Sequence, residues 1–117
     1  MTKNIWITGA SSGIGKALAI KFANEDWQVA VSARRKELLE DLSKKNSNIS
    51  SFPLDVTNSE SCFKTFENIL KKLSNIDLCI FSTGTYDPNT EKEINLEAIE
   101  NVMKVNFFGT LNCIKAT

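Results

Sequence analysis

Histidine is absent from the 117-residue chain, and with it go the commonest general base and the commonest metal ligand. Net charge is absent too. Fourteen basic residues balance fourteen acidic ones, so nothing points to a nucleic-acid backbone or an anionic membrane as a partner. No run approaches the roughly 18 apolar residues of a membrane span, and the opening Met-Thr-Lys-Asn-Ile-Trp-Ile-Thr-Gly lacks a signal-peptide h-region. A cytoplasmic location and a small-molecule partner are the expectation. Cysteine is scarce: positions 62, 79 and 113 are an odd number without metal-ligand spacing, each in an apolar pattern, so reduced core thiols and no metal site are expected. Tyrosine occurs once, as Tyr86.

What is present is ordinary for one globular domain, with 42% hydrophobic and 24% charged residues. Short apolar segments alternate with stretches of helical period. Asn4 to Thr8 reads as a strand, and a helix follows from about Gly13 to Asn24 with Ile14, Ala17, Leu18 and Phe22 on one face. Val29, Ala30 and Val31 form a second strand core; Arg35 to Lys45 reads as a helix facing inward through Leu38, Leu39 and Leu42. Ile49 to Leu54 is a third strand whose Pro53 suits a sheet edge. Thr57 and Glu60 have capping-box spacing and open a helix to Leu73, with Phe63, Phe66, Ile69, Leu70 and Leu73 as its buried stripe. Leu78 to Phe81 resembles a strand covered on both faces. A polar loop runs through Glu93, and Asn95 caps a last helix that carries Leu96, Ile99, Val102, Met103, Phe107, Thr110 and Ile114.

Four repeats of strand and helix predict an α/β, Rossmann-type, doubly wound parallel sheet with about four strands and four helices. Ligands in such sheets bind at the carboxyl ends of the strands. The loops after residues 8, 33, 54 and 81 are therefore where function should lie.

The first of these loops is Thr8-Gly-Ala-Ser-Ser-Gly-Ile-Gly15, between an apolar strand and a helix. Glycines 9, 13 and 15 permit positive φ and close approach to an anion. The helix start offers free N–H donors, and Thr8, Ser11 and Ser12 add hydroxyls. A tight turn that needs glycine only for sterics is the alternative.

The turn resembles the Thr-Gly-x-x-x-Gly-x-Gly signature of the short-chain dehydrogenase/reductase family, which Thr8 to Gly15 match throughout, Ile14 included. The resemblance spans nearly the whole chain but only about the first half of a typical member. It implies an NAD(P)-binding domain over 1–117, incomplete at its C-terminus, and an oxidoreductase moving hydride between nicotinamide and a carbonyl or alcohol. At the end of the second strand stands Ser32-Ala33-Arg34-Arg35, where NAD-specific sites offer a carboxylate. Ala33 leaves that position empty, while Arg34 and, second to it, Arg35 suit a 2′-phosphate, so NADP is expected over NAD; solvated arginines at a helix start are the alternative. Asp55-Val56 is similar to the segment beside the adenine ring, and Asp55 could equally cap a helix. Gly84 is retained after the fourth strand, so close backbone approach to the cofactor is expected there, with Thr83 beside it. Asn106 matches the catalytic-tetrad asparagine, with a satisfied structural amide as the alternative.

Two departures qualify the resemblance. Phe81-Ser82-Thr83-Gly84 replaces the family's Asn-Asn-Ala-Gly and indicates a divergent subgroup. Tyr86 is followed four residues later by Thr90, not lysine, so the family's Ser, Tyr and Lys are expected beyond residue 117, in a longer frame that could form a homo-oligomer. A non-catalytic dinucleotide-binding module and a fold-retaining interaction protein are the other readings.

Overall fold

A computed structural model describes residues 2–88, 90 and 93–117; Asn89, Glu91 and Lys92, part of the polar loop expected after the fourth strand, lie outside the described residues. Strands β1 (Asn4–Thr8), β2 (Gln28–Ser32), β3 (Ile49–Ser51) and β4 (Leu78–Phe81) form one parallel sheet in the order β3-β2-β1-β4. Helices α1 (Gly13–Asn24) and α2 (Lys36–Lys45) cover one face. Helix α3 (Ser59–Leu73) and a last helical run cover the other. That run comprises α4 (Leu96–Met103), a π-helical segment Lys104–Gly109, and α5 (Thr110–Ala116).

Alternation along β1 serves both layers. Ile5 and Ile7 pack with α1 and α2, while Trp6 points into the opposite layer, and all three are fully buried. Trp6 stands tilted against Phe66 and edge-on to Phe81, both with centroids 5.7 Å apart, and its indole N–H donates to Ser32 Oγ at 2.9 Å. Phe81, an outlier against the family pattern, thus packs on the tryptophan at the centre of the sheet.

Several sequence expectations change where neighbours decide burial. On α1 the buried residues are Gly15, Ala19 and Ala23; Leu18 and Phe22 are half-buried, and Ile14 is 75% exposed. Small side chains let the helix approach the sheet, leaving Ile14 at the turn facing outward. On α3 the innermost residues are Cys62, Thr65 and Ile69, and Phe63 is exposed, because the face is fixed by Trp6 and the last helix together. Asn58, not Thr57, caps α3: its Oδ1 accepts from the Ser61 N–H at 3.0 Å, while Thr57 is held by Asp55.

The regular strand β3 stops at Ser51, yet the Phe52 and Leu54 N–H groups still donate to Val31 and Ala33 carbonyls at 2.9 Å each. Pro53, between them, occupies the alternate position whose missing N–H would point away from β2, so it costs no ladder bond. β4 forms the other edge, and its residues are half-buried or exposed instead of covered on both faces. Cys62 and Cys113 are buried free thiols, and Cys79 is half-buried.

Candidate functional site

Three strand ends meet around the glycine turn. Gly9 has φ +68°, and a Cβ there would stand 2.7 Å from the Ser82 carbonyl and from the Thr83 nitrogen. A Cβ on Gly15 would collide with the Gly9 carbonyl. The turn is stapled on both sides: Ser82 Oγ and N–H donate to the Thr8 carbonyl at 2.6 and 3.3 Å, and the Ala10 N–H donates to the Ser32 carbonyl at 3.2 Å. Such contacts hold backbone, not side chains, against the site. Ser82 was not singled out as a site residue from sequence; only its hydroxyl at a strand end hinted at the role.

The helix that follows begins without help. Ser12 occupies the N-cap position of α1 but makes no side-chain capping bond, and the first turn contains no acidic residue. Its N–H groups and the positive end of the helix dipole are therefore directed toward whatever fills the space in front of them. That space is a cleft of about 390 Å³, within the range of small-molecule sites. Gly9, Ser11, Ser12, Gly13, Ile14, Gly15, Arg34, Arg35, Asp55, Val56, Thr83 and Gly84 all line it. Four separate loops thus converge, as the sheet order requires, since β2 and β4 flank β1. Ala33, Leu54, Ser82, Thr85 and Val105 complete the wall; Val105, from the π-helical segment, carried no signal in the sequence.

Thr8 does not line the cleft. It is buried beneath the turn, with its Oγ1 lacking a partner among the described residues, and it contributes its carbonyl to the staple. Thr83 Oγ1 is likewise buried and without a partner among the described residues, but at the cleft wall. Arg34 and Arg35 are exposed, and among the described residues neither forms an ion pair with a carboxylate.

Asp55 divides its work. One oxygen, Oδ1, accepts from Thr57 Oγ1 at 2.7 Å and from the Thr57 N–H at 2.9 Å, which shapes the turn before α3. These two bonds, with smaller help from the nearby Arg34 and Lys104 charges, hold its carboxyl below the usual carboxylate range. A carboxylate depressed in the folded state stabilises the protein above its unfolded pKa and loses that contribution as pH falls through the folded value. Asp55→Asn is accordingly expected to melt below wild type at pH 7, with the gap closing below about pH 4; urea melts across that range would measure it. A gap independent of pH would show that charge plays no part.

Asn106 lies in the π-helical segment, outside the cleft lining. Its Oδ1 accepts from the Thr85 N–H at 2.6 Å, and its Nδ2 donates to the Thr85 carbonyl at 2.8 Å. Both halves of the amide are thus spent on one backbone unit, so Asn106 fixes the chain just after Gly84.

A parallel sheet ordered β3-β2-β1-β4, with a glycine turn after its central strand and a cleft across the strand ends, defines a Rossmann-type nucleotide-binding domain. Residues 3–117 match the family model for short chain dehydrogenases, and the chain belongs to that family. It is 36% identical over 117 residues to the NADPH-dependent 1-acyldihydroxyacetone phosphate reductase of Schizosaccharomyces pombe, covering 97% of this chain and 38% of that protein. It is 31% identical to the glucose 1-dehydrogenase of Gluconobacter oxydans, covering 93% of this chain and 43% of that one. Among solved structures, ElxO with NADP bound superposes with a TM-score of 0.84 at 29% identity, over 99% of this chain and 49% of ElxO. The chain spans less than half the length of these relatives.

Proposed function

We propose that this chain is the cofactor-holding portion of an NADP-dependent oxidoreductase. When bound, the dinucleotide supplies the hydride acceptor or donor for an alcohol or carbonyl substrate. The carrying observation is that two guanidinium groups, Arg34 and Arg35, neither ion-paired with a carboxylate among the described residues, follow Ala33 at the end of β2, on the wall of the same cleft that the uncapped α1 faces. An NAD site there would be served by a carboxylate, whereas free arginines suit the 2′-phosphate. The S. pombe relative is named for its NADPH dependence, and ElxO was solved with NADP; both support the reading.

The residues present fit such a cofactor. The Ser11–Gly15 N–H groups and hydroxyls would hold the diphosphate, and Thr83 Oγ1, without a partner among the described residues, would be free to bond to a group filling the cleft. The Asp55 oxygen not engaged by Thr57, together with the Val56 backbone, would meet the adenine. Asn106 acts as a positioning residue, holding the Thr85 backbone beside Gly84. Tyr86 is followed at the fourth position by Thr90, not lysine, so the 117-residue chain is expected to bind cofactor without turning over substrate.

Calorimetric titration of the chain with NADP and with NAD tests the proposal. NADP is expected to bind at least about tenfold more tightly, the equivalent of one well-made charge-assisted bond. Equal affinities would remove the NADP preference, and no binding of either at millimolar concentration would remove the cofactor reading.

A further inference from the structure

Asn112 on α5 reaches back 56 positions in the chain to the loop before α3, where its Nδ2 donates to the Val56 carbonyl at 2.9 Å. The Cys62 thiol donates to the same carbonyl at 3.7 Å. Gly109, one turn earlier on the last helical run, permits the approach, since a Cβ there would stand 2.5 Å from Val56 Cγ2. Val56 is thus held by its side chain and its carbonyl together, and it is buried.

The peptide unit that Asn112 grips has a second side: its carbonyl belongs to Val56 and its N–H to Thr57, and that N–H donates to Asp55 Oδ1 at 2.9 Å. In a trans peptide the two groups point in opposite directions within one plane. Fixing the carbonyl with Asn112 therefore fixes the N–H behind it, and with that N–H the direction of the Asp55 carboxylate. Thr57 takes Oδ1, which leaves Oδ2 for the cleft. Val56 also lines the cleft, and its N–H makes no hydrogen bond among the described residues. An acceptor and a donor are left side by side.

We propose that Asn112 is a positioning residue for base recognition: by anchoring the Val56–Thr57 peptide unit it sets Asp55 Oδ2 and the Val56 N–H to select a 6-aminopurine over a 6-oxopurine. This rests on the reading that the cleft takes a dinucleotide with its adenine beside Asp55 and Val56. Adenine offers an exocyclic N–H donor next to a ring-nitrogen acceptor, the complement of that pair. Hypoxanthine keeps the ring but offers a carbonyl oxygen and a ring N–H at those positions, so acceptor would face acceptor and donor would face donor. Asn112 stands outside the cleft lining and acts only through the peptide unit it holds.

Calorimetric titration of the 117-residue chain with NADP and with nicotinamide hypoxanthine dinucleotide phosphate tests the proposal, in wild type, in Asn112→Ala and in Asn112→Leu, which keeps the volume and loses the donor. Wild type is expected to prefer NADP by at least about tenfold. Each variant is expected to lose about 5–10-fold in NADP affinity and about twofold at most for the hypoxanthine form, so the preference falls at least about threefold. Asn112→Leu decides where the alanine variant fails to fold. A purely structural tie would lower stability and leave the ratio of the two affinities alone. Folded variants with the wild-type ratio would overturn the role of Asn112 and leave the cofactor reading standing, and a wild type that binds both forms equally would overturn the base selection. A wild type that binds neither would overturn the cofactor reading and this inference together.

Discussion

Gly9→Ala is expected to lower the Tm by roughly 8–20 °C. Two costs add. At φ +68° a side chain enters the left-handed region, at about 1–2 kcal/mol, and the new methyl stands 2.7 Å from the Ser82 carbonyl and Thr83 nitrogen. The backbone just after β4 cannot swing aside as a side-chain tip can, so overpacking costs a further ~1–3 kcal/mol. A domain of this size shifts by about 4 °C per kcal/mol. Gly13→Ala is the control. Its φ of +56° carries the same conformational cost, but nothing lies within 4 Å of the added methyl, so a loss of only about 4–8 °C is expected. That methyl sits at the start of α1, on the cleft, and should weaken dinucleotide binding more than its effect on stability suggests. Differential scanning calorimetry of the two variants decides the matter. Equal shifts would mean that contact with β4 does not constrain the turn.

Arg34→Ala is expected to weaken NADP binding by roughly 10–100-fold while leaving NAD within a factor of about two. The range follows from losing one or two charge-assisted bonds to a phosphate at ~1.5–3 kcal/mol in all. Arg34 lies on the cleft wall near Asp55, whose pKa it helps to lower, so in the proposed complex it would act at the adenosine end and not along the whole dinucleotide. Arg34→Glu should go further. It supplies the carboxylate that Ala33 does not, and is expected to reverse the preference toward NAD. Because the guanidinium is exposed, the wild-type preference should shrink as salt is raised, and the alanine variant should show little of that dependence. Titrations at two ionic strengths measure both effects. A parallel loss of NADP and NAD would place Arg34 on the diphosphate instead, and no loss of either would return it to the solvated surface.

Much of the architecture was legible because local periodicity reports it. The alternation of short apolar runs with helical stripes gave four strands and their helices in order, and the glycines at 9, 13 and 15 marked the turn before any coordinates. The sequence was less able to say which residues on a helix lie innermost. Ile14 and Phe63 have the spacing of core positions, yet both are exposed, since burial depends on the element across the gap. The capping of α3 was misplaced by one residue because Thr57, Asn58 and Asp55 compete for the same N–H groups and only their geometry ranks them. The π-helical segment left no pattern at all, though it sets Asn106 on Thr85 and Val105 on the cleft.

By itself, then, the sequence determined the element order, the glycine turn and the charges at the end of β2, all encoded within a few consecutive residues. Tertiary structure decided what joins distant positions. Ser82 staples the Thr8 carbonyl across 74 residues, Asn106 clamps Thr85 across 21, and Asn112 reaches the Val56 carbonyl across 56. Hydrogen bonds and packing of this kind depend on distances no local pattern carries, because the chain has to fold before those groups have neighbours.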